Sequence, residues 1–442
     1  MKICIIGTGY IGLTEGLCFA DLGHDVMCYD ILEEKINQLK QGIPTLYENG
    51  LEDMLKRNLA NKKITFTTDI HEALDKVNVV FICVNTPENP KDGSADLTAI
   101  MKSTESVAKN MDINNKFVLV VRSTVPVGTN KLVKENMIKA NSQLNFTTAS
   151  NPEFSKQGTA IQDFLKPDRI IVGVDDEDTK KIMDEVYLPL TKQGAPILFT
   201  SIETAELIKY ASNTFLAIKI AFINEIADIC EKTGANIEEI AKAMGMDKRI
   251  SPYFLQAGPG IGGSCFPKDS IALANIGKNL DLDMELVSAS VNSNIKRKKR
   301  MADKIINNSN CDLKGKVVSL LGLTFKANTD DTRYSPAIDI ITKLTDNGIL
   351  VNAYDPHGTE KMKTMLGEKA LQNTKFFDNP YDAIKDTELL AIDTEWQEFK
   401  ELDYQKIYNL LNQKLIIDYR NILNEKEIEK IGFKYISIGK KY

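Results

Sequence analysis

Short apolar runs recur along the first part of the chain at 2–6, 25–30, 77–84, 117–122, 145–149 and 169–174, and stretches of helical spacing separate them. Runs of this length, continuous rather than alternating, are expected of strands buried on both faces, and their alternation with helices predicts a parallel sheet covered on both sides. From about 201 to 232 the pattern changes to one long helix rich in Ala, Ile and Leu, and a second helical stretch runs from about 284 to 307. Together they read as a central helical module, either an inter-domain strut or a dimerisation spine. After Gly315 a fresh α/β pattern begins, with apolar runs at 316–322, 350–355, 388–393 and 414–418. The run ending in Tyr354-Asp355 echoes the one ending in Tyr29-Asp30, so the C-terminal part reads as a second, degenerate nucleotide-binding domain.

Two features carry chemistry. The first follows the opening strand: Gly7-Thr-Gly-Tyr-Ile-Gly12 lies between a strand and a helix, the context that a dinucleotide fingerprint requires. Gly7 permits the tight turn, Gly9 the approach of a pyrophosphate, and Gly12 close packing of helix on strand. Asp30, 18 residues after Gly12, ends the second strand. A carboxylate there bonds the ribose hydroxyls of NAD and repels the extra phosphate of NADP; the alternative is a plain strand-end polar residue. The loops Val84–Pro87 and Arg122–Gly128 follow two further strands, at the sheet edge where ligands gather. Thr86, Ser123 and Thr124 are therefore candidates for the cofactor crevice, with local capping as the alternative for each hydroxyl.

The second feature is Cys265, in Gly258-Pro-Gly-Ile-Gly-Gly-Ser-Cys-Phe-Pro-Lys-Asp269. Four glycines in six residues suit a turn lying against a ligand, with backbone N–H groups open to it. A thiol beside a lysine and an aspartate is placed for chemistry, whereas a small buried hydrophobe is the commoner fate of cysteine. Within the long helix, Glu206, Lys209 and Asn213 interrupt an apolar stretch. Lys209 and Asn213 are four apart and share a face, where a lysine and an amide suit a developing oxyanion; a solvated lysine is the alternative. Glu153, in Asn151-Pro-Glu-Phe154, is either a strand-end acid with a role or a helix cap.

Bulk properties narrow the classes. The 442 residues allow two or three domains, and 43% hydrophobic with 26% charged residues is ordinary for a globular protein. The formal charge of −6 and the lack of a basic stripe argue against nucleic acid; Lys296-Arg-Lys-Lys-Arg300 reads as a solvated or interface face. No apolar run approaches a membrane span, and the chain begins on a strand instead of a leader. Seven scattered cysteines suggest reduced thiols and a cytoplasmic setting. Three histidines far apart leave no visible zinc site, so the chemistry must come from Cys, Lys, Asp, Glu and Asn.

Taken in order, the glycine fingerprint, the Val84–Pro87 and Arg122–Gly128 loops, Asn151–Phe154, the helix around Lys209, the cysteine loop, Gly322–Arg333 and Asp393–Trp396 resemble the UDP-glucose/GDP-mannose dehydrogenase family along nearly the whole chain. The cysteine loop and lysine helix are specific to that family; the glycine fingerprint is not. The resemblance implies an α/β protein of three parts: a Rossmann-type NAD domain at 1–200, a central long-helix module with the cysteine loop at 201–309, and a Rossmann-like nucleotide-sugar domain at 310–442. It implies a four-electron oxidation of a primary alcohol to a carboxylate with two NAD in succession, through a Cys265 thiohemiacetal and thioester, on UDP-glucose or alternatively on GDP-mannose or another nucleotide sugar.

By the same resemblance, Lys209 and Asn213 hold the oxyanion, Asp269 and Thr124 hold the catalytic water, and Glu153 assists hydrolysis. Tyr10, Ile11, Lys35, Thr86, Thr124, Gln157 and Arg333 join Gly7, Gly9, Gly12 and Asp30 at NAD. Glu153, Lys209, Asn213, Arg249, Phe254, Gln256, Gly260, Gly262, Phe325 and Lys326 contact the sugar nucleotide, Arg249 reaching a neighbouring subunit of a homodimer or larger oligomer. Three positions depart from the family: Gln157 stands where many members have glutamate, Ile261 where an aromatic is common, and Tyr334 where an acid often follows Thr-Arg. Ser264, where relatives acting on N-acetylated sugars tend to have histidine, argues against that branch. A non-enzymatic sensor of NAD or nucleotide sugar would require an inert Cys265.

Overall fold

The computed structural model describes residues 1–89 and 91–441. The chain forms two compact units, Met1–Ser212 and Asn213–Tyr442. No described helix is long and apolar enough to cross a membrane.

The first unit is built on eight strands: β1 Lys2–Ile6, β2 Asp25–Tyr29, β3 Ile64–Thr67, β4 Val79–Ile82, β5 Lys116–Val121, β6 Asn145–Ser150, β7 Ile170–Val174 and β8 Ile197–Thr200. Their order is β3-β2-β1-β4-β5-β6-β7-β8. Along β1, Ile3 and Ile5 enter one apolar cluster while Cys4 and Ile6 enter another. Alternate side chains thus bury on opposite faces, which is why the run reads as continuously apolar. The chain reverses between β1 and β4, and this switch point is where a parallel sheet opens a crevice for ligand.

One expectation fails. The run at 169–174 forms β7, but it pairs antiparallel with β6. Asn151, just past the end of β6, donates from Nδ2 to the carbonyl of Ile171 at 2.7 Å, so the link turns back at that end instead of crossing the sheet. An apolar run carries no signal of direction. The strands β3 and β8 were not anticipated; both are edge or near-edge strands of four residues.

The second unit holds six parallel strands: β9 Val317–Leu321, β10 Leu350–Tyr354, β11 Thr374–Phe376, β12 Leu390–Ile392, β13 Leu415–Asp418 and β14 Lys434–Ser437. They lie in the order β11-β10-β9-β12-β13-β14. The short β11 and β14 escaped the sequence pattern. The expected long helices are present as Ile202–Thr233 and Glu285–Asn308. The sequence reading took Cys265–Asp269 as loop; it is the start of the helix Cys265–Asn279, whose first turn contains Pro267. Proline is tolerated there because a first-turn N–H has no helical acceptor anyway.

The basic run 296–300 is not simply a solvated face. Arg297 and Lys298 are buried while Lys296, Lys299 and Arg300 are exposed. Arg297 donates from Nε to the Gly258 carbonyl at 2.6 Å and from Nη1 to Asp228 at 2.8 Å, and Lys298 pairs with Asp339 at 2.7 Å. A buried guanidinium is tolerable only with such partners.

Candidate active site

In the first unit, Gly7 sits at φ 95° and donates its N–H to the Tyr29 carbonyl at 2.8 Å, drawing the end of β1 against β2. A Cβ on Gly12 would lie 1.9 Å from the Gly7 carbonyl oxygen, so packing alone forbids a side chain there. Gly9 differs: a Cβ would meet nothing closer than Asn85 Oδ1 at 4.0 Å. No packing within the unit demands glycine at 9, and the space lies over the start of the helix Tyr10–Asp21. The first-turn N–H groups of Tyr10 and Ile11 have no helical acceptors, so the cradle fits a pyrophosphate.

Asp30 accepts at Oδ2 from the Thr8 N–H at 2.9 Å and the Thr8 hydroxyl at 2.8 Å, and at Oδ1 from the Leu32 N–H. Lys35 Nζ lies 3.3 Å away. Burial alone would raise its pKa, but these donors and the lysine charge outweigh burial and hold it below the ordinary carboxylate value. The site thus keeps an anion where a ribose would rest. The Tyr10 hydroxyl, in contrast, donates to Glu48, which also accepts from Gly158 N–H at 2.6 Å and Ala160 N–H at 2.9 Å. Burial pushes the Tyr10 phenol above its usual value. Its ring therefore braces the segment that carries Gln157, which is half-buried.

Among the loop hydroxyls, Thr86 donates to the Thr124 carbonyl at 2.8 Å and Ser123 to the Val84 carbonyl at 2.6 Å. Both tie the loops after β4 and β5 together, as local caps would; Thr124 itself is half-buried.

Lys209 is buried and donates from Nζ to the Glu153 carbonyl, with the Glu153 carboxylate at 3.2 Å and the Phe154 ring centroid at 5.0 Å. Glu153 also accepts from the Ser155 N–H at 2.6 Å. The structure therefore brings these two site candidates together. The turn bearing Glu153 is bolted from behind by a pair that sequence reading did not single out. Glu15 and Arg122, both buried, form two hydrogen bonds of 2.6 Å, and Arg122 Nη1 donates to the Asn151 and Pro152 carbonyls. A glutamate in the buried stretch of an apolar helix was the available signal. Glu206 has a supporting role: it accepts from Gly128 N–H, Asn130 N–H and the Asn130 amide, capping the helix Thr129–Ala140. Burial raises its pKa against those donors.

In the second unit, Cys265 is exposed at the first position of its helix, where the unpaired N–H groups and helix dipole favour an anionic sulfur. One turn on, buried Asp269 accepts from the Asn213 amide at 2.7 Å, and Lys268 Nζ stands 2.9 Å from its other oxygen. The glycine loop before the thiol departs from expectation. Gly258 N–H donates to Asn224, Ile261 N–H to Asn294 and Gly263 N–H to the Arg333 carbonyl, so these three groups are held by the protein. Packing also explains the glycines: a Cβ on Gly260 would come within 2.6 Å of Lys298, and on Gly262 or Gly263 within 2.7 and 2.8 Å of Phe325. Packing therefore demands glycine at 260, 262 and 263, whereas a Cβ on Gly258 would meet nothing closer than 3.6 Å.

Phe325 therefore lies against the cysteine loop, with Lys326 Nζ 5.5 Å above its ring. Arg333 is paired with Asp331 at 2.6 Å. That bond raises its pKa against burial, and the charge of Cys265 is a further cause. Phe254 packs near Phe266 at 5.8 Å between ring centroids. Gln256 donates weakly to the Pro252 carbonyl at 3.4 Å, and Arg249 is exposed and paired with its neighbour Asp247. Arg420, which drew no attention in the sequence, donates to the Asp393 and Phe325 carbonyls at 2.7 and 2.8 Å.

The echo at Asp355 is structural. Its Oδ2 accepts from Leu323 N–H, Thr324 N–H, the Thr324 hydroxyl and the Trp396 indole, and its Oδ1 from His357 and Gly358 N–H. The counterpart in the second unit of the acid expected at a ribose in the first is thus held as a bolt.

The fold and its cradle define an NAD-dependent oxidoreductase. Three stretches match the UDP-glucose/GDP-mannose dehydrogenase family: its NAD-binding domain over residues 1–191, its central domain over 203–296 and its UDP-binding domain over 319–425. The UDP-glucose 6-dehydrogenase of Rhizobium meliloti (strain 1021) is 45% identical over 442 residues, covering 100% of both chains. UDP-glucose 6-dehydrogenase TuaD of Bacillus subtilis (strain 168) is 41% identical over 440 residues, 99% of this chain and 93% of that one. Among solved structures, a UDP-glucose dehydrogenase from the hyperthermophilic archaeon Pyrobaculum islandicum matches with a TM-score of 0.89 at 34% identity, covering 100% of this chain and 98% of that one. The chain belongs to the UDP-glucose/GDP-mannose dehydrogenase family.

Proposed function

We propose that the chain oxidises UDP-glucose to UDP-glucuronate, using Cys265 as a covalent nucleophile. The observation that carries this is an exposed thiol on the first residue of a helix whose next turn holds a buried aspartate fixed by Asn213. Full-length relatives named for UDP-glucose support the choice of sugar.

NAD would be held by Gly7, Gly9, Tyr10, Ile11, Gly12 and Asp30 and would supply a hydride acceptor for each of two oxidations. In the first, the C6 alcohol loses its hydroxyl proton to a base and a hydride from C6 to that acceptor, and becomes an aldehyde. The Cys265 sulfur then adds to the aldehyde carbon and the oxygen takes a proton, giving a thiohemiacetal. The second oxidation leaves a thioester. Water attacks its carbonyl, the C–S bond breaks, and the thiolate returns as the uronate departs. Covalent capture prevents escape of the aldehyde. Lys209 and Asn213 stabilise negative charge on the C6 oxygen, Asp269 and Thr124 orient the water, and Glu153 exchanges its proton.

The proposal assigns 1–200 to NAD, 201–309 to the central module and 310–442 to the nucleotide sugar. Tyr442, the end of that last range, lies outside the described residues. It also makes the enzyme a homodimer or larger, with Arg249 completing a neighbour's site. In support, Phe215, Phe222 and Ile229 are all exposed on the long helix and recur every seven residues, the spacing of a seam between helices. None of the seven cysteines is in a disulfide, in keeping with a cytoplasmic enzyme. Initial rates on UDP-glucose, GDP-mannose and UDP-N-acetylhexosamines test the assignment. UDP-glucose should be fastest and yield two NADH per sugar; a faster rate on another sugar overturns the substrate, and one NADH per sugar overturns the mechanism.

A further inference from the structure

Between the helices Ile237–Gly245 and Cys265–Asn279 the chain carries Arg249, Phe254 and Gln256 through a series of turns. Two residues that are not glycine sit in the left-handed region there, Ser251 at φ 69° and Phe254 at φ 63°. A residue with a Cβ resists that conformation, and it persists only where the surroundings over-determine it. Such over-determination concentrates at ligand clamps and active sites.

Lys219, on the long helix, supplies the restraint. Its Nζ donates to the Ile250 carbonyl at 2.9 Å and to the Tyr253 carbonyl at 2.6 Å, gripping the segment on both sides of Ser251 and directly before Phe254. On the far side, a Cβ on Gly245 would come within 2.8 Å of Pro252 Cα, so the segment is also pressed against the preceding helix. Phe254 then places its ring against Phe266, the neighbour of Cys265. One ammonium thus fixes the backbone on which three proposed substrate residues ride, and its charge strengthens both hydrogen bonds.

We propose that Lys219 is a positioning residue for the nucleotide-sugar site, clamping residues 250–253 so that Phe254, Arg249 and Gln256 face the substrate. This rests on the reading of those three as substrate residues. Lys219 itself touches no reacting atom.

The test compares Lys219→Met and Lys219→Arg with the wild type, in the assembled enzyme, on whichever nucleotide sugar the wild type turns over fastest. A different preferred sugar would then overturn the substrate assignment and leave the Lys219 comparison intact. Loss of two charge-assisted hydrogen bonds should raise KM for the sugar about tenfold or more in Lys219→Met. KM for NAD and the oligomeric mass should stay as in the wild type. Arginine, which can still reach two carbonyls, should recover most of the affinity. If Lys219→Met does not fold, Lys219→Gln, with donors for at least one carbonyl, carries the same comparison. An unchanged sugar KM, a parallel rise in the KM for NAD, or failure of arginine to recover affinity overturns the proposal.

Discussion

Asn213 donates to one oxygen of Asp269 at 2.7 Å, and Lys268 stands 2.9 Å from the other. The aspartate is buried, so an uncompensated charge there would be costly; the amide and ammonium compensate it and hold its direction. Asp269→Asn keeps the shape but replaces an anion with a neutral amide. Single-turnover rates should fall about a hundredfold or more if Asp269 orients the hydrolytic water. Affinity for the sugar should hold, and a near wild-type rate would reduce Asp269 to a helix bolt.

Under the proposal, Asp30 selects the cofactor. It accepts three hydrogen bonds and faces a single lysine, and it remains ionised. A 2′-phosphate would meet that carboxylate, and one Lys35 cannot neutralise both. Specificity constants for NAD should exceed those for NADP by about a hundredfold or more. Asp30→Ala should narrow the gap and also weaken NAD, since the Thr8 turn loses its acceptor. Equal constants in the wild type would remove Asp30 from this role.

Asp393 ends β12 fully buried, and neither carboxyl oxygen makes a well-formed hydrogen bond. Burial raises its pKa to about 7; Arg420 and Lys298 oppose the rise and Glu395 adds to it. A carboxyl whose folded pKa is raised favours folding fully below the unfolded value, about 4, and loses that contribution as pH climbs through 7. Asp393→Asn is neutral throughout. Its stability relative to wild type should therefore grow by on the order of 4 kcal/mol between pH 4 and pH 8 and then level off. Urea midpoints across that range decide it, and a constant difference would mean the carboxyl is already paired.

How far the chain could be read follows from which physical signals are local. Gly7 and Gly12 were legible because a strand, a turn and a helix stand consecutively in sequence, and Gly12 proves to be forbidden a side chain by 1.9 Å. The direction of β7 was not legible, because the Asn151–Ile171 bond that reverses the chain is a tertiary contact. The glycines around 260 read as ligand space, and a second demand on them was not legible: a Cβ there would crowd Lys298 or Phe325, residues tens of positions away. Asp355 looked like a second Asp30, and in one respect it is. Each acid accepts from the N–H and hydroxyl of a threonine in the turn after the first strand of its sheet. On the remaining oxygen each also accepts the N–H two residues on, Leu32 or His357; what differs is that Asp355 gains Gly358 N–H there, and Leu323 N–H and the Trp396 indole on its other oxygen.

Phe215, Phe222 and Ile229 are 62, 48 and 55% exposed on the long helix. Under the proposal they are covered by a second copy of the chain. Phe222→Glu puts a charge at the centre of that seam, and light scattering should then show the mass of a single chain with activity lost. Because Arg249 is proposed to serve a neighbour, mixing inactive Arg249→Ala with inactive Cys265→Ala should restore turnover in hybrids. An active single chain at assay concentration contradicts the arrangement.

Cys265 is the sharpest test. It is exposed, at a helix N-terminus, with the Arg333 guanidinium feeling its charge. Cys265→Ala removes the nucleophile, so net uronate formation should fall by several orders of magnitude while nucleotide-sugar binding survives, because the nucleotide is held by other residues. Cys265→Ser keeps the shape but offers a hydroxyl that is barely ionised near neutral pH, and the ester it forms hydrolyses more slowly than a thioester. An added sugar mass on the intact protein is then expected after incubation with substrate and NAD. Wild type should release no aldehyde to a carbonyl trap while making two NADH per sugar. Uronate formed by Cys265→Ala at close to the wild-type rate would show that the thiol only packs the start of its helix.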